Sequence, residues 1–202
     1  VLFRSSFLKK NYRVVSLNRR SDLSKNIYSS EDYINDNLDW SNFGKIDAVI
    51  HLATVYETEP KSINSSDLMY ESIIKLPYLL IKDCIKNDIP IFLASSYLQD
   101  LDANTYNPAF IYSNLKNLLE FVCFELQDLK FISLRIAETY SIYDKRNKLI
   151  HKLIKKNLDR TEIPEPNKKV KLNFLNIIDI VNAFELILKK AKENRLNYRQ
   201  IY

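Results

Sequence analysis

The chain carries three short apolar bursts, "AVIHL" from Ala48, "IFLASS" from Ile91 and "FISLRI" from Phe131, each set between segments of helical periodicity. This is the feature that most constrains its fold. Continuous apolar runs of this length suit strands buried on both faces, and strands separated by helices read as βα units of a parallel sheet covered on both sides. The fold class expected is therefore α/β, a doubly wound parallel sheet.

The same pattern places the remaining elements. Arg13 to Leu17 reads as a strand ending on Asn18-Arg19-Arg20, followed by a polar, irregular stretch. A long helix is expected from about Asp67 to Lys86, kinked at Pro77 unless neighbours tolerate the missing N–H. "YNPAFIYSNLKNLLEFVCFELQDL" gives the next helix, and further helices are expected near Leu149 to Asn157 and from about Ile178 to Lys192, the last capped by Asp179. A loop holding Pro164 and Pro166 and a short strand near Leu172 to Leu175 lie between them. No internal repeat or low-complexity linker divides the chain.

Composition excludes several classes. The formal charge is +5, but the 25 acidic residues are interspersed among the 30 basic ones, so a nucleic-acid interface is not expected. No apolar run reaches bilayer-spanning length and no signal-peptide pattern is seen; a membrane partner is not expected and the cytoplasm is the expected compartment. Cys84 and Cys123 lie far apart and outside any metal-binding or Cys-x-x-Cys spacing. With His51 and His151 a hundred residues apart, no metal site is expected.

In open parallel sheets ligands bind beyond the carboxyl ends of the strands. The residues to read for function are therefore Asn18-Arg19-Arg20, His51-Leu52-Ala53-Thr54, Ser95-Ser96 and Arg135 to Thr139. At these positions the chain resembles the extended short-chain dehydrogenase/reductase family, also called NAD-dependent epimerases/dehydratases. The resemblance runs through "DAVIHLAT", "IFLASS", "YSNLK", "SLRIAETYS" and "LNFLNIIDIVNAFELIL", nearly the whole chain. Within the family, "HLATVYE", "IIKLPYLL" and "YDKRNKLIHKLIK" are most similar to CDP-abequose and CDP-paratose synthases, which reduce a 4-keto sugar.

The resemblance implies a Rossmann-like sheet with a small C-terminal substrate lobe, and an NAD(P)-dependent nucleotide-sugar oxidoreductase or epimerase acting at the sugar C4, with Ser95, Tyr112 and Lys116 catalytic. Arg19, Leu52, Ala53, Tyr112 and Lys116 would bind the cofactor, NADP or NAD, and residues 6–138 and 139–202 would be partial cofactor-binding and substrate-binding regions. A homodimer through the helix bearing Tyr112 is a further family expectation. Tyr-x-x-x-Lys alone says little among 13 tyrosines, and Tyr78 and Lys82 repeat it, but only Tyr112 opens a helix after the Ser95 strand. The chemistry fits the pair: a phenol of ordinary pKa near 10 is a poor base at neutral pH, and a nearby ammonium favours its phenolate. Arg19 and Arg20 suit an NADP 2′-phosphate.

Departures from the family pattern bear on substrate and completeness. Ser96-Tyr97 stand where dehydratases of the family carry Asp-Glu, which disfavours dehydration. Ser141 replaces the usual Gly after Tyr140, and Leu172 an Arg that contacts the nucleotide. Glu57 and Glu59 have acid/base chemistry, but loop carboxylates are usually solvated. The only glycine is Gly44, so a glycine-rich pyrophosphate turn is absent from these residues. The initial Val in place of Met and the end at "NYRQIY" lead to the expectation of a fragment that begins after that turn. A degenerate Rossmann module that binds a nucleotide or a protein without turnover is the alternative reading.

Overall fold

The computed structural model describes residues 11–55, 62–100, 111–142, 144, 148–161 and 173–202. In chain order they form β1 (Ser16–Asn18), β2 (Ile27–Ser29), α1 (Ser30–Ile34), β3 (Val49–His51), α2 (Ile63–Tyr70), α3 (Leu76–Lys86), β4 (Ile91–Ser96), α4 (Ile111–Glu125), β5 (Phe131–Ile136), β6 (Glu138–Tyr140), α5 (Leu149–Leu158), β7 (Phe174–Asn176), α6 (Ile177–Lys192) and β8 (Gln200–Ile201). The main sheet has four strands in the order β3-β4-β5-β8, all parallel. Two further parallel pairs, β1-β2 and β6-β7, stand beside it. This is the Rossmann-like α/β architecture the three apolar bursts lead one to expect.

Pleating divides each central strand between two cores. Successive side chains of a strand point to opposite faces. Ile91 and Leu93 of β4 and Phe131 of β5 pack with Leu76, Leu80, Ile81 and Cys84 of α3 and Leu119 and Cys123 of α4. Phe92 and Ile132 face the other way, onto Ile180, Phe184 and Ile187 of α6. Phe92, Phe131 and Phe184 are completely buried, and burying a side chain of that size contributes about 1.5–3 kcal/mol.

Several local features differ from the sequence reading. The stretch after β1 is not irregular: it holds β2, α1 with Ser29 as its cap, and 3-10 turns at Leu23–Lys25 and Trp40–Phe43. Gly44 closes the second turn at φ 67°, ψ −157°, a conformation open to glycine alone. The Arg13 guanidinium lies over it and donates to the Phe43 and Lys45 carbonyls.

Between α2 and α3 the chain makes a π turn, Glu71–Lys75, in which Leu76 N–H reaches back to the Glu71 carbonyl. This widened turn lets buried Pro77 enter α3 at its start, where a missing N–H costs little. Asp179 does not cap α6. Asn176 does, its side chain accepting from the Ile178 N–H, while Asp179 sits in the first turn, where an acid suits the helix dipole. Strand β4 also runs to Ser96, and β8 brings the far end of the chain back beside β5.

Candidate active site

The site grows from the strand alternation that builds the cores. On β4 the residue after Leu93 on the α3/α4 face is Ser95, and on β5 the residues after Phe131 on that face are Ser133 and Arg135. Register pairs Leu93 with Ser133 and Ser95 with Arg135. His51, which closes β3, pairs with Leu93. One face of the sheet thus carries His51, Ser95, Ser133 and Arg135 toward its carboxyl end, while Ser96 belongs to the opposite face.

Helix α4 covers that end with a polar version of the stripe that lower down is Leu119 and Cys123. Tyr112, Lys116 and Glu120 recur at four-residue spacing and are all buried. The Tyr112 ring is seated among Met69 of α2, Ile73 of the π turn, Val55, Leu98 and Leu115. The Lys116 ammonium lies 5.9 Å from the centre of that ring and donates to the Ala94 carbonyl at 2.8 Å. Ala94 immediately precedes Ser95. The three side chains named from the sequence therefore come from β4 and α4 onto the same side of the sheet.

Burial shifts the charges of this cluster. Desolvation pulls the Lys116 amine down from 10.5 to about 8, with the Glu120 carboxylate opposing the fall. His51 is driven to about 3 by burial first and the Lys116 charge second, so its ring is neutral. Burial by itself raises the Glu120 carboxyl, but hydrogen bonds from Arg135 and Ser133 and the Arg135 charge outweigh it and the net direction is downward.

Three residues of this network did not stand out in sequence. Glu120 accepts from Ser133 Oγ at 2.6 Å, Arg135 Nη2 at 2.7 Å and Gln99 Nε2 at 2.8 Å. Gln99, in the 3-10 turn after β4, accepts from Ser95 Oγ at 2.6 Å and Ser96 N at 2.8 Å. The signal for Glu120 was available, since it lies one helical turn beyond Lys116 on the face already chosen. Nothing local marks Gln99 or Ser133.

The other named positions are dispersed. Leu52 and Ala53 follow β3 and are exposed, and Arg19 and Arg20 are exposed just beyond β1. Tyr78 is half-exposed on α3, away from the buried cluster, in keeping with a structural role. His151 sits on α5, its Nε2 against the Ser141 carbonyl. Glu57, Glu59, Pro164, Pro166 and Leu172 lie outside the described residues. Among the described residues no group of three His, Cys, Asp or Glu side chains could hold a metal ion, and no helix is long and apolar enough to cross a membrane.

A parallel sheet with helices on both faces and a polar cluster at the carboxyl ends of its strands defines a Rossmann-like α/β protein. More narrowly, residues 3–198 match the model of the NAD dependent epimerase/dehydratase family, and the chain belongs to that family. It is 25% identical over 200 residues to CDP-abequose synthase from Salmonella muenchen, an alignment covering 92% of this chain and 65% of that protein.

Solved structures share the fold. UDP-N-acetylglucosamine 4-epimerase from Bacillus cereus superposes with a TM-score of 0.70 at 21% identity, covering 95% of this chain and 68% of that one. MoeE5 in complex with UDP-glucose and NAD gives 0.69 at 19% identity, covering 96% and 68%. dTDP-glucose 4,6-dehydratase from Bacillus anthracis in complex with NAD gives 0.62 at 14%, covering 88% and 58%.

Proposed function

We propose that the protein to which these residues belong is an NAD(P)-dependent nucleotide-sugar reductase or epimerase working at the sugar C4, with Ser95, Tyr112 and Lys116 as catalytic residues. The observation that carries the reading is the seating of the Lys116 ammonium on the Ala94 carbonyl, beside Ser95 and over the Tyr112 ring. Relatives support the substrate class: the curated relative is a CDP-abequose synthase, and one structural neighbour is described with UDP-glucose and NAD.

The residues present fit a dinucleotide. Leu52 and Ala53 would line it after β3, Tyr112 and Lys116 would hold its nicotinamide ribose, and Arg19 would meet the adenosine ribose or a 2′-phosphate. His51 Nε2 is buried with no hydrogen-bond partner among the described residues, leaving a polar atom for a bound group to satisfy. Residues 6–138 would supply most of this surface and 139–202 most of the sugar-binding lobe. The chemistry a bound NAD(P) supplies is hydride exchange with the sugar carbon.

The chain's own residues handle the proton. A buried ammonium beside Tyr112 lowers the cost of its phenolate, so the phenol can give its proton to a sugar carbonyl oxygen in reduction and take it back in oxidation. Ser95 holds that oxygen. Ser96-Tyr97, in place of an Asp-Glu pair, disfavour dehydration.

The test is consumption of NADH or NADPH with a 4-keto nucleotide sugar. Tyr112→Phe should lower turnover by about 10²–10⁴-fold while cofactor affinity holds. Undiminished turnover in Tyr112→Phe would rule out the assignment. Arg19→Ala should weaken NADPH more than NADH.

A further inference from the structure

The amide of Gln99 can be oriented without ambiguity. A backbone N–H only donates, so the atom that Ser96 N meets at 2.8 Å is the amide oxygen. Glu120 accepts from Arg135 and Ser133, and the atom 2.8 Å from its Oε2 is the amide nitrogen. That nitrogen also donates to Asn117 Oδ1 at 3.0 Å, so both of its protons are used. The Ser95 hydroxyl, 2.6 Å from a carbonyl oxygen, must then be the donor. Without a ligand its proton points at Gln99.

Glu120 stands behind both arms of this arrangement. Through Gln99 it sets the direction of the Ser95 hydroxyl. From one turn along α4 it is also the acidic group whose charge acts on Lys116, which otherwise sits in a nearly dry setting, 2% exposed. The titratable groups facing Lys116 are His51 from β3, Tyr112 and Glu120 from α4, and Arg135 of β5 by way of Glu120. His51 is neutral, and Arg135 is neutralised by Glu120 itself.

We propose that Glu120 is the positioning residue of the site, holding the Gln99 amide against the Ser95 hydroxyl and setting a carboxylate one helical turn from the Lys116 ammonium. The role rests on the assignment of Ser95 and Lys116 as catalytic residues.

The experiment is a pH titration of the 202-residue chain with ¹⁵N-lysine and ¹³C-glutamate side-chain labels, comparing wild type with Glu120→Gln. Lys116 titrates near 8 in the wild type and is expected to fall by about one unit or more in Glu120→Gln. The Gln99 side-chain amide protons, protected in the wild type, should exchange at least about tenfold faster. A folded variant with Lys116 and the Gln99 protons unmoved would overturn the proposal, because a merely structural carboxylate would change stability and leave these signals alone.

Should Glu120→Gln not fold, the wild-type Glu120 carboxyl decides. It should stay ionised throughout the neutral range, and a protonated Glu120 at pH 7 would overturn the role. The outcomes separate from those of the proposed function: undiminished turnover in Tyr112→Phe removes the enzyme assignment and leaves the titration intact, whereas an unmoved Lys116 removes only Glu120.

Discussion

The two ends of the same pair of strands are built on opposite principles. At their amino ends β4 and β5 put Ile91, Phe92, Phe131 and Ile132 into two cores, all fully buried. Further along, the same strands carry buried Ser95 and Ser133 and a partly buried Arg135 that pairs with Glu120 of α4. Backbone register and helix cover are continuous from one end to the other, so the difference lies wholly in side chains. The apolar end supplies stability. The polar end spends some of it to hold an ammonium and a carboxylate out of water, where each interaction with a ligand counts for more.

The largest effects should separate the two ends directly. Phe92→Ala or Phe131→Ala is expected to cost about 3–5 kcal/mol in urea unfolding. A loss below about 1 kcal/mol would mean that the cores around α4 and α6 carry less than their burial implies.

At the polar end the sign should reverse. Below pH 8 both folded and unfolded Lys116 are protonated and the cost of burying the charge is fully felt, whereas between 8 and 10.5 the folded chain sheds its proton first and that cost is relieved. Lys116→Met, leaving Glu120 paired with Arg135, should therefore be more stable than wild type at pH 7. Its advantage should shrink by about 3 kcal/mol as the pH rises from 8 to 10.5. Destabilisation at pH 7 would show that the ammonium supports the fold.

Ser95 and Ser96 sharpen the comparison within one strand. They are adjacent and equally buried at 6% exposure, yet face opposite sides of the sheet. Ser95→Ala should reduce turnover by about a hundredfold with little change in unfolding midpoint, and Ser96→Ala should leave turnover near wild type. Equal effects on turnover would dissolve the distinction between the faces. Away from both ends, Asn176→Ala should cost about 1 kcal/mol as the true cap of α6, and Asp179→Ala about half that.

What the sequence made legible follows from how local each signal is. Strands buried on both faces announce themselves as unbroken apolar runs, so β3, β4 and β5 and the helical segments between them could be located, though not their exact ends. Ser95, Tyr112 and Lys116 could be singled out as candidates because the family resemblance sets them at a strand end and a helix start, which are local landmarks. The short strands β6 and β8 owe their existence to partners far along the chain, and two or three residues, as in β2 as well, carry no period to detect. The π turn before Pro77 depends on how α2 and α3 pack. Asp179 is a good capping residue by type, but Asn176 occupied the position where the chain enters the helix. Gln99 and Glu120 needed both the turn after β4 and the face of α4 to be known together.

The central claim is that the polar end of the sheet passes a hydride and a proton between NAD(P)H and a nucleotide sugar. Reduced cofactor carrying deuterium at the nicotinamide C4, incubated with a 4-keto nucleotide sugar and followed by mass spectrometry, tests it most directly. The account predicts deuterium at the sugar C4 with the wild-type protein and almost none with Tyr112→Phe. Cofactor and sugar both bound with no deuterium transferred, or equal transfer by Tyr112→Phe, would contradict it.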